Sequence, residues 1–156
     1  MRPALRLRGR SQSNQARPPQ SQFLRWPPSN KRVLRRAGIF FFISCAACHQ
    51  PHGLGLEGLA PPLVESEWVL GSEQRLIRIA LHGLRGPITV KGKPYQLEMP
   101  PMGVFEDEQI ATVLTYVRRE WGHAATPVAS ATVTKVREAT AKREEPWTEA
   151  ELLKVP

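Results

Sequence analysis

Two stretches of the chain repeat apolar residues at the spacing of one helical face. Leu76, Ile77, Ala80 and Leu84 form the first stripe, and Ile110, Val113, Leu114, Val117 and Trp121 form the second and clearer one. Ser72 and Glu73 open the first helix, as N-cap and first-turn acid, and Gly83 with Gly86-Pro87 ends it. The second is expected over residues 107–121. Glu106, Asp107 and Glu108 stand at its start, Arg118 and Arg119 near its end, and Gly122 stops it. An apolar run, Ala37 to Ile43, is read with the residues after it as a short helix over 37–47.

Between these elements the text is punctuated. Residues 50–63 hold three prolines and three glycines, which forbid regular structure and allow a tight loop. Residues 65–71 read as one helical turn. Ile88–Val90 and Tyr95–Leu97 flank Lys91-Gly92-Lys93-Pro94, a loop or small hairpin. After the second stripe a small-residue linker leads to a helix expected from about Ser130 to Arg143. Another start follows, in which Thr148 and Glu151 make a capping box and Trp147 with Leu152 a hydrophobic staple.

Charge changes the picture at the N-terminus. The 156-residue chain carries a formal net charge of +8, but residues 1–36 hold ten of its 22 basic residues and no acid. The remainder carries twelve bases against fourteen acids and is slightly acidic. The first 36 residues are rich in Pro, Gln, Ser and Arg, without helical periodicity or interleaved aromatics. That composition reads as a disordered basic tail rather than a nucleic-acid-binding arm, and no nucleic-acid partner is expected. Paired arginines before an apolar run resemble an export signal, yet the run flows straight into Cys45, so it is read as a helix. The tail is then a start-site artefact or the remnant of an export signal.

The chemistry is carried by Cys45-Ala46-Ala47-Cys48-His49, which spells C-x-x-C-H, the attachment site of a c-type haem. Two thiols three positions apart can add across the vinyl groups on one edge of a porphyrin, and the next residue offers an imidazole to the iron. A zinc site would need a second pair of ligands, and the chain has only two cysteines. A thioredoxin-like redox pair would need a preceding strand and a βαβ domain, and neither is evident.

His49 takes one axial position by its place in the motif. The other ligand must come from a distant constrained segment, and Met99, Met102, His52, His82 and His123 are the candidates. Met99 is favoured, because Pro100 stiffens the chain beside it and it stands at a suitable distance before the last long helix. The carbonyl of Pro61 is the natural acceptor for the other ring nitrogen of His49, and Leu63 would pack on the same face. Trp68, Tyr95 and Arg85 are able to reach the haem propionates.

From about Gly38 to Trp121 the sequence resembles a class I c-type cytochrome of the bacterial monohaem kind found beside periplasmic dehydrogenases. The resemblance rests on Gly38, Phe41, Cys45-Ala46-Ala47-Cys48-His49, Ala60-Pro61-Pro62-Leu63, Met99-Pro100-Pro101, and Ile110-Ala111, Tyr116-Val117-Arg118 and Trp121-Gly122. It implies an all-α cytochrome c fold of four to five short helices around one covalently bound haem c. Phe41 and Tyr116 take the places where the family packs its first helix on its last, and Met99 takes the place of the axial methionine. The domain then spans 37–122, with a linker and helical extension over 123–156. That extension resembles those carried by some cytochrome modules, often at the end of larger proteins, so the chain is expected to be a fragment or a stand-alone relative.

The expected function is single-electron transfer, not catalysis, on the periplasmic side or outer face of the cytoplasmic membrane. The donor would be a periplasmic or membrane-bound dehydrogenase, and the acceptor another cytochrome or a terminal oxidase. A haem enzyme or gas sensor with an open sixth position, and a haem-free thiol–disulfide oxidoreductase, are the alternatives.

Overall fold

The computed structural model describes residues 31–96 and 98–156. Among them are seven helices and one hairpin: α1 Lys31–Ser44, α2 Ala46–His49, α3 Glu67–Leu70, α4 Glu73–His82, β1 Ile88–Val90, β2 Lys93–Tyr95, α5 Asp107–Val117, α6 Ser130–Ala139 and α7 Glu149–Leu152. The first five helices and the hairpin belong to the region of the resemblance, and the last two to the extension.

Helix α1 packs across α5, and buried Ala37 and Phe41 face it. The rings of Phe41 and Tyr116 lie 5.4 Å apart, and Trp121 meets Phe41 edge-on at 5.6 Å. The helix is longer than the apolar run suggested. Residues 31–36, expected with the disordered tail, are helical, because Lys and Arg are good helix formers once an apolar face downstream anchors the turn. Residues 1–30 lie outside the described residues.

Helix α5 is shorter than its stripe. It ends at Val117, with Arg118 as its C-cap, and Trp121 at φ 54° turns the chain back. Trp121 thus reaches the α1–α5 contact from a left-handed turn, not from the helix. At the other end the Gln109 side chain accepts from the Glu106 N–H at 3.0 Å, which serves where a serine cap is absent.

Helix α4 carries buried Leu76, Ile77, Ala80 and Leu81 into the core. Its expected cap, Ser72, does not bond the helix; its hydroxyl turns to the Pro156 carbonyl. Ser66 instead caps α3, accepting from the Trp68 N–H. The hairpin pairs Ile88 with Tyr95 and Val90 with Lys93, so Lys93 and Pro94, expected in the connection, belong to the second strand. Lys91 and Gly92, both at positive φ, make the two-residue connection that suits the twist of the strands.

The extension folds back over α4 and α5. Val128, Val133 and Val136 join the main core, and Leu152 is fully buried in a second cluster with Ile79, Leu84, Ile88, Val90 and Tyr95.

Candidate haem site

Cys45 is the N-cap of α2, so Cys48 falls one turn later on the same side and His49 closes the helix. Both cysteines are free thiols, and His49 is 8% exposed. All three line a cleft, open to solvent, that encloses about 1160 Å³ including its mouth.

The remaining walls come from segments spread between residues 59 and 117. Leu59, Ala60, Pro61, Pro62 and Leu63 come from the loop after α2, and Trp68 and Val69 from α3. Leu76, Ile79 and Ala80 come from α4, Ile88 and Val90 from β1, and Val113, Leu114 and Val117 from α5. Met99, Pro100 and Met102 line it as well, together with Ser44, Ser66 and Leu84. Among the described residues, Glu98 is the only acid in it, and no lysine or arginine lines it.

The His49 ring is fixed. Its Nδ1–H donates to the Pro61 carbonyl at 2.9 Å, which leaves Nε2 as the nitrogen available to a metal. Burial holds the imidazole below its ordinary pKa, with the Pro61 bond opposing. The neutral ring required of a ligand is therefore favoured. Gly55 makes this approach possible. It sits at φ +70°, and a Cβ there would lie 2.2 Å from the Ala60 carbonyl oxygen and 2.7 Å from that of Pro61.

Both methionine candidates line the cleft. Met99 is half-buried and paired with Leu84 through two backbone hydrogen bonds of 2.9 and 3.0 Å; Met102 is buried, with its N–H on the Ala80 carbonyl. The three other histidines do not line it. Both ring nitrogens of His123 are engaged: Nδ1 donates to the Val117 carbonyl and Nε2 accepts from the Glu65 N–H. His82 bonds Thr140, and His52 accepts from the Leu54 N–H.

Three groups expected near the propionates are placed otherwise. The Trp68 indole lines the cleft, but its N–H donates to the Thr89 carbonyl at 2.8 Å. Tyr95 lies behind the wall, buried in the second cluster, and Arg85 pairs with Glu145 on the surface. Tertiary packing claimed these side chains first.

Arg118 was read as a favourable charge at the end of α5 and is instead 3% exposed. Its guanidinium donates to the carbonyls of Val69, Gly71 and Thr126, tying α3 to the end of α5 beside the cleft. A signal for this existed: Arg118 follows Leu114 by four residues and so lies on the apolar stripe.

The residues fit a covalently tethered haem: two thiols, one buried neutral imidazole and two thioethers converge on a single apolar cleft. The Cys45 thiol is pushed up to about 11 by burial and then by Cys48, the reverse of the depression an attacking thiolate needs.

Comparison with known proteins agrees. The Cytochrome c family model matches residues 37–121, more than half of the chain. The chain therefore belongs to the cytochrome c family, with haem c as its cofactor and electron transfer as its role. It is 37% identical over 91 residues to a cytochrome c-552 of Thermus thermophilus, an alignment covering 56% of this chain and 70% of that protein. It is 35% identical over 105 residues to the gluconate 2-dehydrogenase cytochrome c subunit of Pantoea cypripedii, covering 65% of this chain but 23% of the subunit. No described helix is long and apolar enough to cross a membrane.

Proposed function

We propose that this chain is a monohaem electron carrier in which Cys45 and Cys48 hold the haem by thioether bonds and His49 and Met99 are the axial ligands. The observation that carries the reading is the shared cleft: Cys45, Cys48, His49 and Met99 line it together, from elements far apart in the sequence.

Haem c, when bound, supplies an iron that takes up and gives back one electron at a time. The protein's residues do the rest. Cys45 and Cys48 prevent loss of the group. Pro61 holds the His49 ring in one tautomer and orientation through the 2.9 Å bond. Met99, a weaker electron donor than imidazole, favours the reduced state and so a higher potential. With His49 and Met99 both holding the iron, no position would be left on it for a substrate, and the apolar walls would surround the group on its protein side.

The donor is proposed to be a periplasmic or membrane-bound dehydrogenase, oxidised by one electron at each encounter. The acceptor is proposed to be another cytochrome or a terminal oxidase, reduced by that electron. The 35% identity to a dehydrogenase cytochrome subunit supports this pairing. It also supports a location outside the cytoplasmic membrane, on its outer face or in the periplasm.

Optical spectra of the haem-matured protein, oxidised and reduced, test the assignment. Low-spin spectra with a methionine-to-iron charge-transfer band at the red end of the visible range are expected, and Met99→Ala should abolish that band. If Met102→Ala abolishes it instead, the ligand is reassigned. A high-spin spectrum that shifts with carbon monoxide in the unaltered protein would mean an open iron and a sensor or enzyme.

A further inference from the structure

The electron-carrier reading makes no use of the extension, yet the extension grips the segment on which Met99 depends. Residues 83–85 form the middle of a small three-stranded patch. On one edge the Leu84 N–H donates to the Met99 carbonyl at 3.0 Å and the Met99 N–H to the Leu84 carbonyl at 2.9 Å. On the other edge the Trp147 N–H donates to the Gly83 carbonyl at 3.0 Å and the Arg85 N–H to the Trp147 carbonyl at 2.8 Å. Met99 and Trp147 therefore flank the same residue, Leu84.

The Met99 side has little other backbone support. Pro100 and Pro101 have no N–H to give, so the next backbone donor after Met99 is Met102. The Trp147 side is strongly held. The Arg143 guanidinium stacks 3.6 Å from the Trp147 ring centroid and donates to the Pro146 carbonyl at 2.9 Å and to Glu151 Oε2 at 2.8 Å. Leu152, fully buried, packs in the cluster that also contacts Met99. The Thr89 N–H donates to Glu149 at 3.0 Å, so α7 grips the hairpin wall of the cleft as well.

The geometry points to Arg143, Trp147 and Leu152 acting as a clasp that holds the Met99 segment in place, with Trp147 a positioning residue for the axial thioether. This rests on Met99 being the ligand. A clasp of this kind sets how often Met99 is displaced in the folded protein, not merely whether the protein folds. An external ligand binds only the displaced fraction, so its apparent affinity rises in proportion to that fraction.

The test uses the full-length, haem-matured chain as wild type, Trp147→Ala, Trp147→Phe, Arg143→Gln and Met99→Ala, well below the unfolding midpoint of the least stable variant. The readouts are the methionine–iron band, carbon monoxide affinity of the reduced protein, and hydrogen exchange at the Met99 amide. Trp147→Ala is expected to weaken the band, raise carbon monoxide affinity about tenfold and speed exchange at Met99. Arg143→Gln should move each readout the same way by less. Trp147→Phe should stay near wild type, since the indole N–H is buried with no partner among the described residues. If Trp147→Ala lowers only the unfolding midpoint and leaves all three readouts unchanged, the clasp is overturned and the extension is a cover. If Trp147→Ala does not fold, Arg143→Gln decides by the same criteria. If Met99→Ala keeps the band, the ligand assignment itself has failed, and the clasp falls with it.

Discussion

Gly83 and Met99 touch backbone to backbone: a Cβ built on Gly83 would stand 2.4 Å from the Met99 carbonyl oxygen and 3.0 Å from the Pro101 nitrogen. Gly83 also adopts φ +77° as the C-cap of α4. Only a residue without a side chain lets the Met99-Pro100-Pro101 segment lie against the end of that helix. Gly83→Ala should therefore cost about 2–3 kcal/mol, from left-handed strain and the clash together. Urea denaturation measures the loss, and the methionine–iron band should weaken in the same variant.

Gly55 plays the matching part on the histidine side. Gly55→Ala should push the Pro61 carbonyl away from His49 Nδ1, because the new Cβ would sit 2.7 Å from that oxygen. The ring then donates less charge to the metal, and the reduction potential should rise. Stability should fall by about 2 kcal/mol. Potentiometric titration beside a denaturation curve separates the two effects; an unchanged potential would mean that the Pro61 bond does not tune the site.

Arg118→Met removes the donors to Val69, Gly71 and Thr126 while keeping much of the side-chain volume. Carbonyls left unpaired in the interior should cost about 3 kcal/mol. Arg118 does not line the cleft, so the visible spectrum of the folded variant should match wild type. A spectrum altered below the unfolding transition would place Arg118 in the site after all.

The extension should carry an acid-sensitive contact. Glu151 is held down to about 2 chiefly by the hydrogen bond from Arg143, with the Thr148 N–H next. A carboxylate whose pKa is lower folded than unfolded stabilises the fold above its ordinary value, here 4.5, and loses that effect as pH falls toward 2. Because the pair is partly exposed, the contribution at neutral pH is about 1 kcal/mol after solvent screening. Glu151→Gln should cost that much at pH 7, and its stability should converge with wild type between pH 4.5 and 2. Thermal melts across that range provide the check, and a constant gap between the two proteins would refute the contact.

Much of this molecule was legible because its signals are local. The C-x-x-C-H spacing, the stripe of α5, the turn residues of the 50–63 loop and the Thr148–Glu151 capping box all act within a few residues of one another. What was misjudged depended on distant partners. Ser72 is an ordinary cap residue, but the Pro156 carbonyl competes for its hydroxyl. Trp121 extends the α5 stripe on paper, yet the helix stops at Val117 and a left-handed turn delivers the ring to Phe41. Trp68 and Arg85 have polar tips that suit a propionate, and Thr89 and Glu145 engage them.

The sequence by itself determined the chemistry: which atoms can bond a porphyrin, which imidazole follows them, and which methionines stand in a proline-stiffened segment. Covalent reactivity and short-range backbone preferences are properties of residue types and spacings, so they survive without a fold. Tertiary structure decided what surrounds those atoms. It placed the five cleft-lining groups, Cys45, Cys48, His49, Met99 and Met102, in one apolar space. It buried Arg118 among carbonyls, and it set Trp147 on the far edge of the residue that holds Met99. Those outcomes depend on side chains far apart in sequence competing for the same partners, and only the packed chain resolves that competition.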